Sequence, residues 1–100
     1  MAIFKFMFIF ISGNADYQKD FSQIISQGGN ITKTVAAASI DDACEAAKLA
    51  LEDNYNLIEL CGAFGPNGAK RVIEATENKI AVGYVTHLPE QEELYTKLFG

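Results

Sequence analysis

The order of apolar and polar positions predicts strands and helices that alternate along the chain. Residues 3–11 are apolar at nearly every position, which is typical of a strand covered on both faces. Phenylalanines alternate there with other apolar residues, so one face would carry Phe4, Phe6, Phe8 and Phe10. We therefore predict a central strand of a mostly parallel sheet at Ile3–Ile11.

The next segment has a helical pattern. Tyr17, Phe21, Ile24 and Ile25 fall on one stripe, which predicts a helix over Tyr17–Gln27 that ends at two glycines. Later elements follow in the same alternation. They are a strand at Ile31–Ala38, a helix from Ser39, a strand at Leu57–Gly62, a helix from Pro66, a strand at Ile80–Thr86 and a helix at Pro89–Phe99. In the last helix, Leu94 and Leu98 are expected to pack inward together with Tyr95 or Phe99.

Four strand-helix units in succession predict one α/β domain over residues 1–100. The expected architecture is a three-layer α/β/α sandwich on a four-stranded, mostly parallel sheet in the flavodoxin-like order 2-1-3-4. The first and last helices would cover one face, and the second and third helices the other. A ferredoxin-like α+β fold is the alternative, but it needs a hairpin where the chain has a helical pattern, at residues 40–51.

Charge and composition exclude several classes of protein. The net charge is -5 and the eight basic residues are scattered, which argues against a nucleic-acid partner. With two cysteines, one histidine and no CxxC, the chain lacks the usual zinc-ligand sets, so we predict neither metal nor cofactor. Reduced thiols suit a cytoplasmic protein. A chain of 100 residues buries a modest fraction of its surface, which favours a homodimer or larger homo-oligomer.

The apolar beginning of the chain resembles a signal peptide only superficially. The run after Lys5 is short, it is preceded by one basic residue, and Phe and Ile favour a strand. A membrane-spanning helix needs about 20 apolar residues, and no such run occurs. We therefore expect no membrane partner.

Loops that follow the strands contain the candidate ligand-binding residues. Ligands of open parallel sheets bind beyond the carboxyl ends of the strands, where the strand order reverses. A glycine-rich turn before a helix can offer backbone N–H groups to a small anion. The turn matches neither GxGxxG nor GxxxxGK[ST], and a plain tight turn is the alternative. The candidates are Asn14, Asp16, Gly62, Phe64, Gly65, Asn67 and Gly68.

Three residues near the same strand ends are candidate catalytic groups. Cys61 and His87 end neighbouring predicted strands, and a Cys–His pair can activate a thiolate. Glu59 lies between apolar neighbours and could be a buried carboxylate with a raised pKa. Each also has a structural interpretation, with Cys61 as a small buried residue, His87 as an ordinary polar residue and Glu59 as a paired or interface carboxylate.

The segment Leu57-Ile-Glu-Leu-Cys-Gly-Ala-Phe-Gly-Pro66, together with residues 69–75 and 81–84, resembles a family of small uncharacterised bacterial and archaeal α/β proteins. The resemblance covers about the last half of the chain. It implies a domain of about this length with no established activity, and it supplies no catalytic residue. It also suggests that the ELCGAFGP turn is the signature of the family.

Two functions remain open from the sequence. The first is a homo-oligomeric ligand-binding or assembly module with its pocket at Gly62–Gly68. The second is an enzyme of the isomerase or lyase type that acts on a small anionic metabolite. The enzyme hypothesis requires at least two of the three candidate catalytic groups to converge on one cavity.

Overall fold

Residues 3–99, which the computed structural model describes, form a five-stranded mixed sheet with three α-helices. The strands are β1 (Lys5–Ile11), β2 (Phe21–Ile25), β3 (Ile31–Ala37), β4 (Leu57–Leu60) and β5 (Ala81–Tyr84). The helices are α1 (Ile40–Glu52), α2 (Gly65–Ala75) and α3 (Glu92–Phe99), with a 3₁₀ turn at Pro89–Gln91 before α3.

The strands lie in the order β2-β3-β1-β4-β5. The four strands predicted from the sequence are therefore neighbours in the predicted order, and all of their pairings are parallel. This confirms the α/β class. The ferredoxin-like alternative is wrong, because α1 connects β3 to β4 where that fold would need a hairpin.

The predicted helix at Tyr17–Gln27 is wrong, and so is the count of four strands. The backbone N–H of Gln18 donates to the Asp16 carboxylate, and the N–H of Asp20 donates to the Asp16 carbonyl, which closes a single turn. The chain then extends as β2, which pairs antiparallel with β3 at the edge of the sheet. Long-range pairing with β3 thus determines the conformation of this segment, although the local spacing of its apolar residues also fits a helix.

One face of the sheet is covered by α1 and α2. Met7 and Ile9 point to this face and are buried, as are Ile58 and Leu60 of β4. Five small residues of α1 (Ala43, Cys44, Ala46, Ala47 and Ala50) are buried and let the helix approach the sheet closely. The Ser39 hydroxyl caps α1 by accepting a hydrogen bond from the backbone N–H of Asp42 at 3.1 Å.

The opposite face of the sheet is open, so the predicted three-layer sandwich is wrong. We call it the phenylalanine face: Phe6, Phe8 and Phe10 of β1, Leu57 of β4 beside Phe6, and Ile24 of β2, which is level with Phe6 but separated from it by β3. The three phenylalanines are half-buried and Ile24 is 68% exposed. The first predicted helix, which would have helped to cover them, is instead the edge strand β2.

Helix α3 does not cover this face extensively either. Seven of its eight residues are exposed, and Tyr95 alone is half-buried. Leu94 and Leu98 are 55% and 77% exposed, so the prediction that they pack inward is wrong. The two layers are therefore a sheet and the α1/α2 pair, with α3 beyond them.

Hydrogen bonds at the two ends of the β2–β3 pairing show which residues of β2 are hydrogen-bonded to β3 and which direct their N–H groups outward. The N–H of Ser26 donates to the Asn30 carbonyl, and the N–H of Ala36 donates to the Asp20 carbonyl. In an antiparallel pair, hydrogen-bonded positions recur at every second residue. Ser22, opposite Thr34, is therefore a hydrogen-bonded position, whereas the N–H of Gln23 points away from β3.

Proline substitutions distinguish this strand from the helix that the local pattern suggests. We predict that Ser22→Pro lowers the free energy of unfolding by about 1–3 kcal/mol, because the lost N–H leaves the Thr34 carbonyl without its donor. Gln23→Pro, on the outward edge, should cost much less. Chemical denaturation of both variants checks this, and equal, large losses in both would indicate a helix.

Candidate functional site

A cavity of about 1030 Å³ lies beyond the carboxyl ends of β1, β4 and β5. Strand ends, the glycine-rich turn and one side of α3 line this cavity, which is open to solvent. Its lining residues are Phe10, Ile11, Cys61, Gly62, Ala63, Gly65, Pro66, Tyr84, Val85, Thr86, His87, Glu92, Tyr95, Thr96 and Phe99. A smaller cavity of about 370 Å³ includes Asp53, which is already paired with Lys5 at 3.1 Å.

The N-terminus of α2 opens onto the large cavity without a side-chain cap. Phe64 is the N-cap residue, its side chain cannot accept a hydrogen bond, and the first turn contains no acidic residue. In contrast, α1 has the Ser39 cap and two aspartates in its first turn. The partial positive charge at the start of α2 is therefore not offset by its own first turn.

The turn before α2 depends on a left-handed glycine and a buried ring. Gly65 has φ +60°, where a side chain would be strained. Phe64 is only 4% exposed, so its ring belongs to the core rather than to a ligand pocket. A Cβ on Gly68 would lie 3.1 Å from the Phe64 Cβ and 3.3 Å from the Ile40 Cδ1, so Gly68 lets α2 approach α1 closely.

His87 is held in place on two sides. Its Nε2 forms a hydrogen bond with the Glu92 carboxylate, and its ring stacks on Tyr95 with centroids 3.9 Å apart and planes inclined by 11°. The hydrogen bond and the charge of His87 lower the pKa of Glu92. The imidazole is thus fixed at the cavity wall with an ionised carboxylate beside it, an arrangement that orients a proton donor or acceptor.

The structure brings Cys61 and His87 to the same cavity but separates Glu59 from them. The Cys61 Sγ accepts a hydrogen bond from the backbone N–H of Ile11 at 3.4 Å. Glu59 lies on the phenylalanine face, where its carboxylate extends over Gly83: an added Cβ there would be 3.9 Å from the Glu59 Cγ. The other cysteine, Cys44, lies in α1, and burial raises the pKa of its thiol.

Predicted ligand-binding residues are divided between the cavity and other places. Gly62 and Gly65 line it, whereas Phe64 and Gly68 pack between the helices. Asn67 is exposed in the first turn of α2 and is not among the lining residues. Asn14 and Asp16 are exposed in the loop after β1; Asn14 has φ 64° and Asp16 closes the turn described above.

Helix α3 contributes the lining residues that the sequence analysis missed. Glu92, Tyr95, Thr96 and Phe99 occupy positions i, i+3, i+4 and i+7, so they share one side of the helix. This spacing is visible in the sequence. The sequence analysis instead predicts Leu94 and Leu98 as the inward side of the helix, with Tyr95 or Phe99 beside them, and assigns none of these residues to a ligand site.

Residues 3–99 contain neither a cluster of metal-ligating side chains nor a membrane-spanning helix. No group of three or more His, Cys, Asp or Glu side chains in this range is arranged to hold a metal ion. No helix in the same range has the length and apolar character needed to cross a membrane.

Comparison with known proteins identifies a family but no characterised relative. Residues 4–100 match the model of a family described as a family of unknown function (DUF6506). This confirms the expectation of an uncharacterised family, while the role of the ELCGAFGP turn as its signature stays a prediction. No curated protein and no solved structure matches the chain.

The contact between His87 and Glu92 predicts a specific pH dependence. Because the folded protein lowers the pKa of Glu92 below its ordinary value of 4.5, the contact of the ionised Glu92 carboxylate with His87 contributes to stability at and just above that pH. The contribution is lost as the pH falls through the lowered value. In a carbon-13 NMR titration, the Glu92 carboxyl should titrate at lower pH in the wild type than in His87→Ala. Identical midpoints in the two proteins would contradict the contact.

Proposed function

Because this chain belongs to the DUF6506 family, whose function is unknown, we propose a function from the geometry of its cavity. The proposal is a homo-oligomeric module that binds a small anionic molecule beyond the carboxyl ends of β1, β4 and β5. The observation that carries it is the uncapped N-terminus of α2, which opens onto a cavity of about 1030 Å³ beside His87.

The anionic group belongs at the glycine-rich turn. Gly62, Ala63 and Gly65 line the cavity, and among residues 3–99 the N–H groups of Gly62 and Ala63 donate no backbone hydrogen bond. Free N–H groups at a helix N-terminus attract carboxylate and phosphate. Pro66 lacks an N–H, so the turn and Gly65 are the natural donors.

The aromatic part of the cavity lining suits a flat or apolar group. The rings of Phe10, Tyr84, Tyr95 and Phe99 line the cavity, and the Tyr95 ring is held against His87. Aromatic side chains bind planar groups by stacking and by excluding water. The expected ligand is therefore a small carboxylate or phosphate with an apolar body, and His87 would act as a further hydrogen-bond partner.

An enzyme of the isomerase or lyase type is the second candidate, and the His87–Glu92 pair favours it. An imidazole oriented by a carboxylate is a common general acid or base. Against it, Glu59 lies on another face, and no hydrogen bond joins Cys61 to His87 within residues 3–99. An oriented base with no nucleophile hydrogen-bonded to it supports binding better than catalysis.

A charge substitution in the turn tests the proposed anion site. Ala63 is exposed and lines the cavity, so Ala63→Glu places a carboxylate where the ligand anion would lie. With phenyl phosphate as probe, we predict about tenfold weaker binding or more, since two like charges a few ångströms apart repel by roughly 1–3 kcal/mol. Isothermal titration calorimetry measures the effect, and benzyl alcohol serves as the neutral comparison.

Gln27→Glu is the matched control because it adds the same charge in the β2–β3 turn, at the other end of β3 from the cavity. It should bind phenyl phosphate as the wild type does. Equal affinity in both variants, or no binding to the wild type, would contradict the anion site.

A separate experiment tests the second candidate function, an enzyme of the isomerase or lyase type. Native mass spectrometry should find a retained ligand whose C–H exchanges in D₂O with the wild type but not with His87→Asn.

A further inference from the structure

We infer that the smaller cavity, of about 370 Å³, binds a small α-amino acid with an apolar side chain. This cavity lies on the helix side of the sheet, between the last turns of α1 and the first halves of β1 and β3. Buried apolar side chains and Tyr55 form part of its lining, and Lys33 and Glu52 are charged members. The site is separate from the anion site at the carboxyl ends of the strands.

The Tyr55 hydroxyl is a polar group that the folded chain leaves available to a ligand. The side chain is 6% exposed, and within residues 3–99 its hydroxyl forms no hydrogen bond. The hydroxyl is nevertheless not sealed from solvent, since no polar side-chain atom of a buried residue in this range is both enclosed and unpaired. It therefore faces the cavity that Tyr55 lines.

Tyr55 is fixed in place and keeps its proton. The Lys5 ammonium lies 4.7 Å from the centroid of the Tyr55 ring. The same ammonium donates to the Asp53 carbonyl at 2.6 Å and pairs with the Asp53 carboxylate at 3.1 Å. Burial, and then the negative charge of Asp53, raise the pKa of Tyr55, so its hydroxyl is a hydrogen-bond donor at neutral pH. A carboxylate is a natural acceptor for such a donor.

Two charges of opposite sign line the cavity without pairing with each other. Lys33 projects from β3, with its ammonium 4.2 Å from the centroid of the Phe21 ring, and Glu52 is the last residue of α1. Within residues 3–99 neither forms an ion pair, whereas the charge of Asp53 is offset by Lys5. The cavity therefore offers a ligand one positive and one negative group.

This arrangement of charges favours a zwitterion over an anion or a cation. A simple anion is attracted by the Lys33 ammonium but repelled by the Glu52 carboxylate, and a simple cation meets the reverse. A molecule with both an ammonium and a carboxylate is complementary to both side chains. Its carboxylate accepts from Lys33 and from the Tyr55 hydroxyl, and its ammonium donates to Glu52.

The buried part of the cavity lining suits an apolar side chain. Met7 and Ala50 are 3% and 1% exposed, and Leu49 beside them is 46% exposed. Apolar surface with a few polar groups is the usual design of small-molecule sites, whose volumes are roughly 300–1,000 Å³. A volume of about 370 Å³ is at the lower end of that range, which favours a molecule of the size of leucine over a nucleotide.

A nuclear magnetic resonance titration of the isotope-labelled protein tests the site, with the backbone amide signals of Lys33 and Ala50 as reporters. L-leucine is the probe, 4-methylpentanoate lacks its ammonium, and 3-methylbutylamine lacks its carboxylate. The wild type should bind L-leucine about tenfold more tightly than either analogue, or more, because each analogue loses one charged hydrogen bond and leaves a protein charge opposed.

Substitutions identify the groups that hold each end of the ligand. Glu52→Gln should weaken L-leucine binding about tenfold without weakening 4-methylpentanoate, whereas Lys33→Gln should weaken both. Tyr55→Phe removes the hydroxyl alone and should weaken L-leucine about fivefold. Glu74→Gln is the matched control, since Glu74 is also exposed near the end of a helix, in α2, and does not line the cavity. It should leave the affinity for L-leucine unchanged.

Equal binding of the three compounds, or no response of the reporter signals at tens of millimolar L-leucine, would overturn the inference. So would unchanged affinity in both Glu52→Gln and Lys33→Gln. Glu52 is exposed, so its substitution leaves the fold intact and keeps the test decisive. Ala63→Glu separates the two sites, because it should lose phenyl phosphate and keep the L-leucine response. If phenyl phosphate does not bind but L-leucine behaves as predicted, the anion site fails and the amino-acid site stands.

Discussion

The rest of the structure depends on the position of β1 between two parallel neighbours. Lys5–Ile11 pairs with β3 on one side and with β4 on the other, so three carboxyl ends meet at one edge of the sheet. The same pairing fixes which side chains share a face. Met7 and Ile9 face α1 and α2, while Phe6, Phe8 and Phe10 face outward. Both the cavity and the phenylalanine face follow from this one register.

Packing on the helix side explains why the turn between β4 and α2 has its present form. Phe64 is anchored in the core, Gly68 lets α2 approach the Phe64 ring, and Gly65 adopts a left-handed conformation between them. These constraints aim the start of α2 at the cavity and leave no side-chain cap there. The sequence predicted this turn as a single ligand-binding loop. Part of it lines the cavity, and the other part packs between α1 and α2.

The sequence predicted the parallel core of the sheet and its strand order, because apolar runs and turn residues mark those elements locally. It failed at residues 17–27, where Phe21 and Ile24 have helical spacing and β2 has no buried face to impose a period of two. Pairing with β3 determines that this segment is a strand. The pairing partner is distant in sequence, so it is not visible in the pattern of neighbouring residues. The predicted covering of the Phe6–Phe10 row failed for the same reason.

The sequence predicted which edge of the sheet carries the candidate site, but only some of the residues that line the cavity there. Cys61, Gly62, Gly65 and His87 line the cavity, and the position of each follows from strand ends in a parallel sheet. Glu92 and Tyr95 could not be predicted as lining residues, because their positions depend on how α3 is oriented. The loop before α3 sets that orientation, and its direction does not follow from the sequence pattern. Glu59 lies apart from the other two candidates because alternation along β4, with Ile58 and Leu60 inward, turns its side chain to the other face.

Hydroxyl-radical footprinting of β1, at a dilution where the chain is monomeric, tests the two-faced sheet most directly. Methionine is intrinsically more easily oxidised than phenylalanine, but Met7 is 3% exposed while Phe6, Phe8 and Phe10 are half-buried. The account predicts oxidation of the three phenylalanines with Met7 protected in the folded protein and oxidised after denaturation. Rapid oxidation of Met7 in the folded protein, with protected phenylalanines, would contradict it.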